Sequence, residues 1–396
     1  MKTADALQAD LQAPTRWPAL EGIRGIAVLA VVAYHATRLV LTRAEGNWDE
    51  GISWLWWWMA TGRFGVDVFF VLAGFLVVAS WASARQRTAS LGAAARDFAA
   101  RRAWRVLPPY WVSLLVLVPL VAPQLLGVDG WGDLARLVTV QQYFDTDLPS
   151  EVNVVYWSLT TEVHFYFLVP LVAWLLHRVG GWPLVLAAVG LGLWWAHSDG
   201  RGELPASFIG GRLHHFVIGA AAGQLVRRHL AGASSRLVRV IIRPGVGWAL
   251  ALSMVGLGIY HGATYGRPDT KHIEGTLHIV ASFVLAALVI RLVCGPGGTV
   301  CDRPWPRFFG LISYSIYLWH FPVLEHGLPV LGLASDGTTT GSLAGLAAAM
   351  LVLLSLGAGL LAYLLVERPF LKLQSRRRSR GQSHEAPAEP KVPTPT

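Results

Sequence analysis

The chain has 396 residues, of which 54% are hydrophobic and only 14% are charged. A soluble domain usually carries about 25% charged residues, so this composition excludes a soluble globular protein and predicts an integral membrane protein. The formal net charge of +9 does not indicate nucleic-acid binding, because most of the excess lies in short loops beside apolar segments.

The chain contains about ten apolar segments long enough to cross a bilayer, since a spanning helix needs about 20 residues. The expected fold is therefore an all-α, polytopic bundle of transmembrane helices. The fifth and seventh segments are short for a span. In chain order the segments lie at residues 20–42, 63–82, 104–122, 155–176, 182–197, 206–226, 246–262, 276–293, 309–331 and 342–366.

The basic residues predict the orientation in the membrane. Arginines concentrate between the second and third segments, between the sixth and seventh, and in a run at 376–380. Loops rich in Lys and Arg stay in the cytoplasm. About ten spans place these three regions on that side, together with both termini. We therefore expect a multi-pass protein of the inner (plasma) membrane.

The pattern divides the chain into three regions. Residues 1–19 are expected to form a cytoplasmic N-terminal segment, and residues 20–371 the transmembrane domain. Residues 372–396 are basic and then proline-rich, which predicts a disordered cytoplasmic tail. Cys294 and Cys301 match no metal or redox spacing, so free thiols and no metal site are expected.

Two ionisable residues share one face of the first segment. Arg24 and His35 are eleven residues apart, which at about 100° per residue is three turns plus about 20°. Their side chains therefore align, about 16 Å apart along the helix axis. Ionisable groups at membrane depth are costly and indicate a functional path.

Two carboxylates are predicted in the outer part of the membrane. Glu162, in a segment that begins near Tyr156, lies about 9 Å below the outer surface, at a depth similar to that of His35. Asp67 lies in the outer third of the second span. A histidine near neutrality can act as a general base that a carboxylate orients. Glu162 is the expected partner of His35 if the first and fourth spans are adjacent.

Arg102 and Arg105 lie at the cytoplasmic start of the third span, three residues apart and thus on one helix face. The planar guanidinium donates two parallel hydrogen bonds, which suits phosphate. The cations on the inner side suit an anionic donor. The histidine and carboxylates deeper in the membrane suit activation of an acceptor hydroxyl.

Each of these residues also has a structural interpretation. The arginines fit the ordinary positive charge of cytoplasmic loops. His35 and Glu162 fit a hydrogen bond between helices, and Asp67 fits a helix end. Further intramembrane polar residues that are, singly, more often packing contacts are Arg212, His214, His215 and His320.

At these positions the chain resembles acyltransferase family 3, the bacterial membrane O-acyltransferases. Arg24 and His35 match that family's Arg, ten residues, His spacing, and Arg102 and Arg105 match its Arg-Xaa-Xaa-Arg. Residues 65–75 match a Gly-Val-Asp-Xaa-Phe-Phe-Val-(Leu/Ile)-Ser-Gly-(Phe/Tyr) segment, with Ala73 in place of the usual serine.

The later motifs follow in the family's order. Residues 157–162 match Trp-Ser-Leu-Xaa-Xaa-Glu, 313–320 match Ser-Tyr-Xaa-Xaa-Tyr-Leu-Trp-His, and 367–369 match Glu-Xaa-Pro. His215 departs from the pattern, since the family often has an acidic residue there.

The resemblance implies an enzyme that transfers an acyl group, often acetyl, from a donor such as acyl-CoA to a hydroxyl of a carbohydrate, glycolipid or glycosylated metabolite. It implies His35 as the catalytic residue and Arg24, Arg102 and Arg105 as donor-binding residues. We add Glu162 as a second catalytic candidate. Further candidates are Asp67, Ser158, Arg212, Tyr317 and His320.

In this hypothesis acyl-CoA is a substrate rather than a bound cofactor, and the partners are the lipid bilayer and the acceptor. The acyl group passes either directly or through an acyl-histidine on His35. A transporter or flippase for a glycan or lipid is the alternative from another class, and a non-catalytic partner in surface-polymer assembly is a second. The acceptor, the acyl chain length, the side of modification and the oligomeric state stay open.

Overall fold

The computed structural model describes residues 17–44, 60–88, 90–142, 152–198, 208–264, 271–330 and 341–374. These residues are helical with short connections, and no strand occurs among them. Most of the expected N-terminal segment and nearly all of the expected tail lie outside the described residues.

The helices are numbered here in chain order. A 3₁₀ turn, Thr61–Phe64, leads into α2, and α13 continues through a π-helical turn, Tyr363–Glu367. The helices are α1 Pro18–Ala44, α2 Gly65–Arg87, α3 Leu91–Val121, α4 Trp131–Val138, α5 Tyr156–Arg178, α6 Gly181–His197, α7 Ile209–Leu230, α8 Arg236–Ile241, α9 Val246–Thr264, α10 Lys271–Cys294, α11 Pro304–Leu311, α12 Ser313–Val330 and α13 Gly341–Ala362.

Seven helical segments of the described chain are long and apolar enough to cross a membrane, which confirms a multi-pass, all-helical architecture. Helices α6, α7 and α12 coincide with predicted spans but are not among the seven. Helix α6 has only 17 residues, and α7 carries an arginine and two histidines near its start. The number of ten spans and the side of the termini remain predictions. The seven are Pro18–Leu39, Thr61–Arg87, Leu91–Val121, Tyr156–Arg178, Val246–Thr264, Ile273–Cys294 and Leu346–Gln374.

Helix α2 is the centre of the bundle and packs against α1, α3, α5, α7 and α10. Its contact with α7 is a backbone contact. A Cβ atom on Gly74 would lie 2.0 Å from the carbonyl oxygen of Phe216, and one on Gly219 would lie 2.1 Å from that of Val71. Glycine allows membrane helices to approach this closely, so the α2–α7 pair is fixed in register.

Helix α1 packs against α2, α11, α12 and α13. Helix α5 instead packs against α2 and α7, and α1 and α5 do not form an extensive contact within the described residues. The first and fourth predicted spans therefore each pack on α2 without an extensive contact with one another, which bears on the expected pairing of their polar residues.

Candidate active site

Two cavities lie along one face of α1. The first has a volume of about 110 Å³ and is called here the arginine cavity. The second has a volume of about 400 Å³ and is called the histidine cavity. Val66 and Tyr317 line both cavities. The polar lining of the arginine cavity is Arg24, Arg102, Arg105, Ser158, Glu162, Tyr166, Ser313, Tyr314 and Tyr317; that of the histidine cavity is Tyr34, His35, Arg38, Arg63, Asp67, Arg212, His278 and Tyr317, with Trp157.

The arginine cavity joins the cations of α1 and α3. Arg24 donates from Nη2 to Ser313 Oγ at 3.0 Å, which ties α1 to the start of α12. The Cζ atom of Arg102 lies 5.4 Å from the centre of the Tyr166 ring, a cation–π contact. Arg105 is exposed. Arg24 and Arg102 are therefore each held by a neighbouring side chain, whereas Arg105 is accessible to solvent.

Glu162 is the carboxylate among the residues that line the arginine cavity. It accepts a hydrogen bond from the hydroxyl of Tyr166, one helical turn further along α5. Three guanidinium groups and one carboxylate give this lining a net positive charge. A second carboxylate, Glu367, is buried nearby and accepts from Ser315 Oγ at 2.6 Å. The cavity thus suits an anionic ligand.

His35 lies in the histidine cavity, as the helical spacing from Arg24 requires. Its ring packs against Tyr34, His320 and Phe321, with centroid distances of 5.0, 5.3 and 5.2 Å. Its Nδ1 atom is buried and has no hydrogen-bond partner among the described residues. The imidazole is held by packing, and one nitrogen is not committed to a structural hydrogen bond.

Asp67 does not simply end a helix but joins three helices. Its Oδ2 atom lies 2.6 Å from Nδ1 of His278 on α10, and its Oδ1 atom lies 3.0 Å from Nε2 of His215 on α7. The Nδ1 atom of His215 lies 3.1 Å from the backbone oxygen of Arg212 and donates to it. His215, where the chain departs from the family pattern, is thus a direct partner of Asp67.

Histidines and carboxylates near this point include two sets that could hold a metal ion. Asp67, His215 and His278 present ligand atoms within 4.8 Å of one another, and so do His261, Glu274 and His278. Their donor types suit zinc. Asp67 is nevertheless paired with both of its histidines, and Glu274 with Arg63, so each carboxylate has a protein partner.

The structure does not bring Glu162 to His35. Glu162 lines the arginine cavity, whereas His35 lines the histidine cavity, and their helices lack an extensive contact. The two residues were paired because of their similar depth. Depth along two helices, however, does not determine the direction in which each side chain points. The residues that adjoin His35 are instead the aromatic side chains and His320.

The remaining candidates fall on both sides of the boundary between the cavities. Ser158 lines the arginine cavity and Arg212 the histidine cavity. Ser158 Oγ and the Tyr317 hydroxyl are hydrogen-bonded at 2.6 Å. The Nδ1 atom of His320 donates to the backbone oxygen of Tyr317 at 2.8 Å, and its ring lies beside His35.

Sequence reasoning missed several residues of the histidine cavity. Arg38 follows His35 by three residues, so the helical period already places both on one face. Val66 gave no chemical signal because it is apolar. Arg63 and His278 are brought to the cavity only by the packing of α2 against α1 and α10. Arg212, which the sequence did suggest, lies 5.6 Å from the Trp157 ring centre.

A multi-pass helical bundle that places a cationic cavity and a partly buried histidine along one helix face fits a membrane-embedded transferase. The family model Acyl_transf_3, an acyltransferase domain, matches residues 17–366, and the chain belongs to this family. It is therefore an acyltransferase, as the sequence predicted.

Curated relatives agree with this assignment. The chain is 27% identical over 390 residues to "Putative membrane-bound transacylase BcsY" of Komagataeibacter xylinus, covering 93% of this chain and 87% of that one. It is 27% identical over 386 residues to acyltransferase MdmB of Streptomyces mycarofaciens, covering 92% and 94%. It is 26% identical over 346 residues to peptidoglycan O-acetyltransferase OatA of Listeria monocytogenes, covering 79% of this chain but only 50% of that protein. No solved structure matches the chain.

Proposed function

We propose that this protein transfers a short acyl group, acetyl in the simplest case, from acyl-CoA to a hydroxyl of a carbohydrate, glycolipid or glycosylated metabolite. One observation carries the proposal. Arg24 and His35 lie on the same face of α1, and each lines one of two cavities that share Val66 and Tyr317. An anionic donor and a hydroxyl acceptor would thus meet at a common boundary.

The arginine cavity is the proposed donor site. Its volume of about 110 Å³ accommodates the thioester end of acyl-CoA rather than the whole molecule. The exposed Arg105 and the partly buried Arg102 would bind the phosphates through charge-assisted hydrogen bonds. Arg24, anchored by Ser313, would contact the pantetheine-side phosphate or the thioester oxygen.

His35 is the proposed general base. Its imidazole takes the proton of the acceptor hydroxyl, and the oxygen attacks the thioester carbonyl carbon. A carbon–oxygen bond forms, the carbon–sulfur bond breaks, and the CoA thiolate receives the proton from His35. The same site allows a relay in which His35 first carries the acyl group, and isolation of an acyl-histidine would distinguish the two routes.

The acceptor is proposed to occupy the histidine cavity, which at about 400 Å³ is the larger of the two. Trp157 and Tyr34 supply aromatic faces, and Arg38 and Arg212 supply hydrogen-bond donors. Arginine-rich loops are expected in the cytoplasm, which supports a donor side that faces inward in the inner membrane. Two relatives carry the name of a peptidoglycan O-acetyltransferase, one of them as putative, so an envelope glycan is the first acceptor to test.

The test uses the purified full chain in lipid nanodiscs with acetyl-CoA. The acceptor is first identified by mass spectrometry, which compares envelope glycans and extracts from cells with and without the gene. The glycan or metabolite that loses its acyl group without the gene is then used in the assay. Release of CoA and the acylated product are then measured for wild type, His35→Asn and His197→Asn. His197 is a matched control, because it is an exposed histidine whose Nδ1 donates to a backbone oxygen of its own helix and it lines neither cavity.

We expect His35→Asn to lose acyl transfer and His197→Asn to retain it. Transfer by His35→Asn at the wild-type rate would refute His35 as the base. Glycan movement across proteoliposomes without thioester consumption would refute acyl transfer and support a transporter instead.

A further inference from the structure

The two cavities adjoin at Val66 on α2 and Tyr317 on α12, a pair called here the partition. These are the two residues that appear in the lining of both cavities within the described chain. Donor-binding arginines lie on one side of the partition and His35 on the other. If the proposed function holds, the acyl carbon must pass beside these two side chains to react.

Tyr317 is a fixed part of the partition. Its hydroxyl bonds to Ser158 Oγ at 2.6 Å and lies 3.3 Å from the backbone oxygen of Val155. Its ring makes an edge contact with Phe69, with centroids 6.0 Å apart. Rotation of the tyrosine away from the partition would leave the hydroxyl without these partners in a buried setting, which is unfavourable.

Val66 is equally constrained. It is the second residue of α2, and a β-branched side chain in a helix has one strongly preferred rotamer. The backbone of α2 lies close to α1 at this point, because a Cβ on the preceding Gly65 would lie only 2.7 Å from the carbonyl oxygen of Ala27. Close helix packing on one side and hydrogen bonds on the other thus hold the two side chains of the partition in place.

We propose that Val66 and Tyr317 limit the length of the transferred acyl chain, so that the donor is a short-chain acyl thioester such as acetyl-CoA. The arginine cavity, at about 110 Å³, leaves little space for a longer chain beside the pantetheine. This inference rests on the proposed function and adds the two residues that set the length of the acyl chain. The bonds made and broken are those of the transfer described above.

The experiment compares acetyl-, butyryl- and octanoyl-CoA as donors, with kcat/KM measured from CoA release and acylated product. A hydrophobic pocket discriminates one methylene by about 10-fold or more. We therefore expect the wild type to use butyryl-CoA at least about 100-fold less well than acetyl-CoA. Val66→Ala removes two methyl groups from the partition and should raise the butyryl-to-acetyl ratio by about 10-fold or more.

Val68→Ala is the matched control. It makes the same truncation two residues along α2, at a buried position of the hydrophobic core that is not part of either described cavity lining. It should leave the butyryl-to-acetyl ratio unchanged. Val66→Phe adds bulk to the lining of both cavities and should reduce acetyl transfer, whereas Val68→Phe should leave Val66 and Tyr317 in place.

The outcomes separate this inference from the proposed function. A wild type that transfers acetyl and octanoyl groups equally well would overturn the length limit while leaving acyl transfer established. An unchanged ratio in Val66→Ala would also overturn the role of the partition. A wild type that consumes no acyl-CoA would refute the proposed function and the length limit together.

Discussion

Replacement of Asp67 should reveal how far one buried carboxylate holds the centre of the bundle. Asp67 is 1% exposed and is paired with His278 at 2.6 Å and His215 at 3.0 Å. Asp67→Ala would leave two buried nitrogens without partners, at about 1–3 kcal/mol each. Removal of one partner from a buried ionic group typically costs about 3–5 kcal/mol. We therefore expect Asp67→Ala to lower the free energy of unfolding by about 3–5 kcal/mol.

Asp67→Asn should be much milder. The amide oxygen still accepts from Nδ1 of His278, and the amide nitrogen can donate to Nε2 of His215, whose Nδ1 donates to a backbone oxygen. The expected loss is about 1 kcal/mol, the value of one ordinary hydrogen bond. The difference between the two variants isolates the hydrogen-bonding role of the side chain from its charge.

The assay is unfolding of the purified protein in mixed micelles by SDS titration, followed by circular dichroism. Asp129→Asn is the control, because Asp129 is exposed in a 3₁₀ turn and its replacement should change stability by less than about 0.5 kcal/mol. Equal unfolding midpoints for Asp67→Ala and Asp129→Asn would refute the reasoning. So would a loss in Asp67→Ala near 0.6 kcal/mol, the average for a single polar contact between membrane helices.

Three further predictions concern the cavities and the thiols. Arg105→Ala should raise the KM for acyl-CoA by about 10-fold or more with little change in kcat, because a hydrogen bond to a charged group contributes about 1.5–3 kcal/mol. Steady-state kinetics measures both constants, and an unchanged KM would contradict the prediction. Tyr317→Phe loses the bond to Ser158 but keeps the ring, so we expect a stability loss of about 1 kcal/mol with acetyl transfer retained; loss of transfer in the folded variant would instead indicate a chemical role for the hydroxyl. Burial raises the pKa of the Cys301 thiol to about 11, and the thiolate is the reactive form of a cysteine. Maleimide at pH 7.5 should therefore label Cys294 well before Cys301 in the folded protein. Mass spectrometry of tryptic peptides measures the two labelling rates, and equal rates would contradict the prediction.

Local periodicity allowed part of the site to be predicted without a structure. The α-helical repeat fixes the angle between side chains on one helix, so Arg24 and His35 were placed on one face of α1 before any packing was known. The same argument covers Arg102 and Arg105 on α3. Apolar length and basic loops predicted a multi-pass helical protein, which the described helices confirm.

Helical periodicity cannot predict contacts between residues that are far apart in the sequence. Asp67 and His278 are 211 residues apart, and Arg24 and Ser313 are 289 apart. Depth in the membrane suggested a pairing of Glu162 with His35, yet the two side chains line different cavities. A depth estimate gives one coordinate along each helix and leaves the rotation and neighbours of that helix undetermined.

Local sequence pattern was enough to predict a multi-pass helical chain and the shared face of Arg24 and His35, and its motifs already resembled those of membrane acyltransferases. Only the folded chain shows that these two residues line different cavities, with Val66 and Tyr317 in the lining of both. The difference lies in the range of the interactions. Backbone hydrogen bonds within a helix act over four residues and can be inferred from local pattern. Packing between helices depends on the shape of whole faces. The glycines of α7 mark a face for close packing, but the local pattern does not say that its partner is α2.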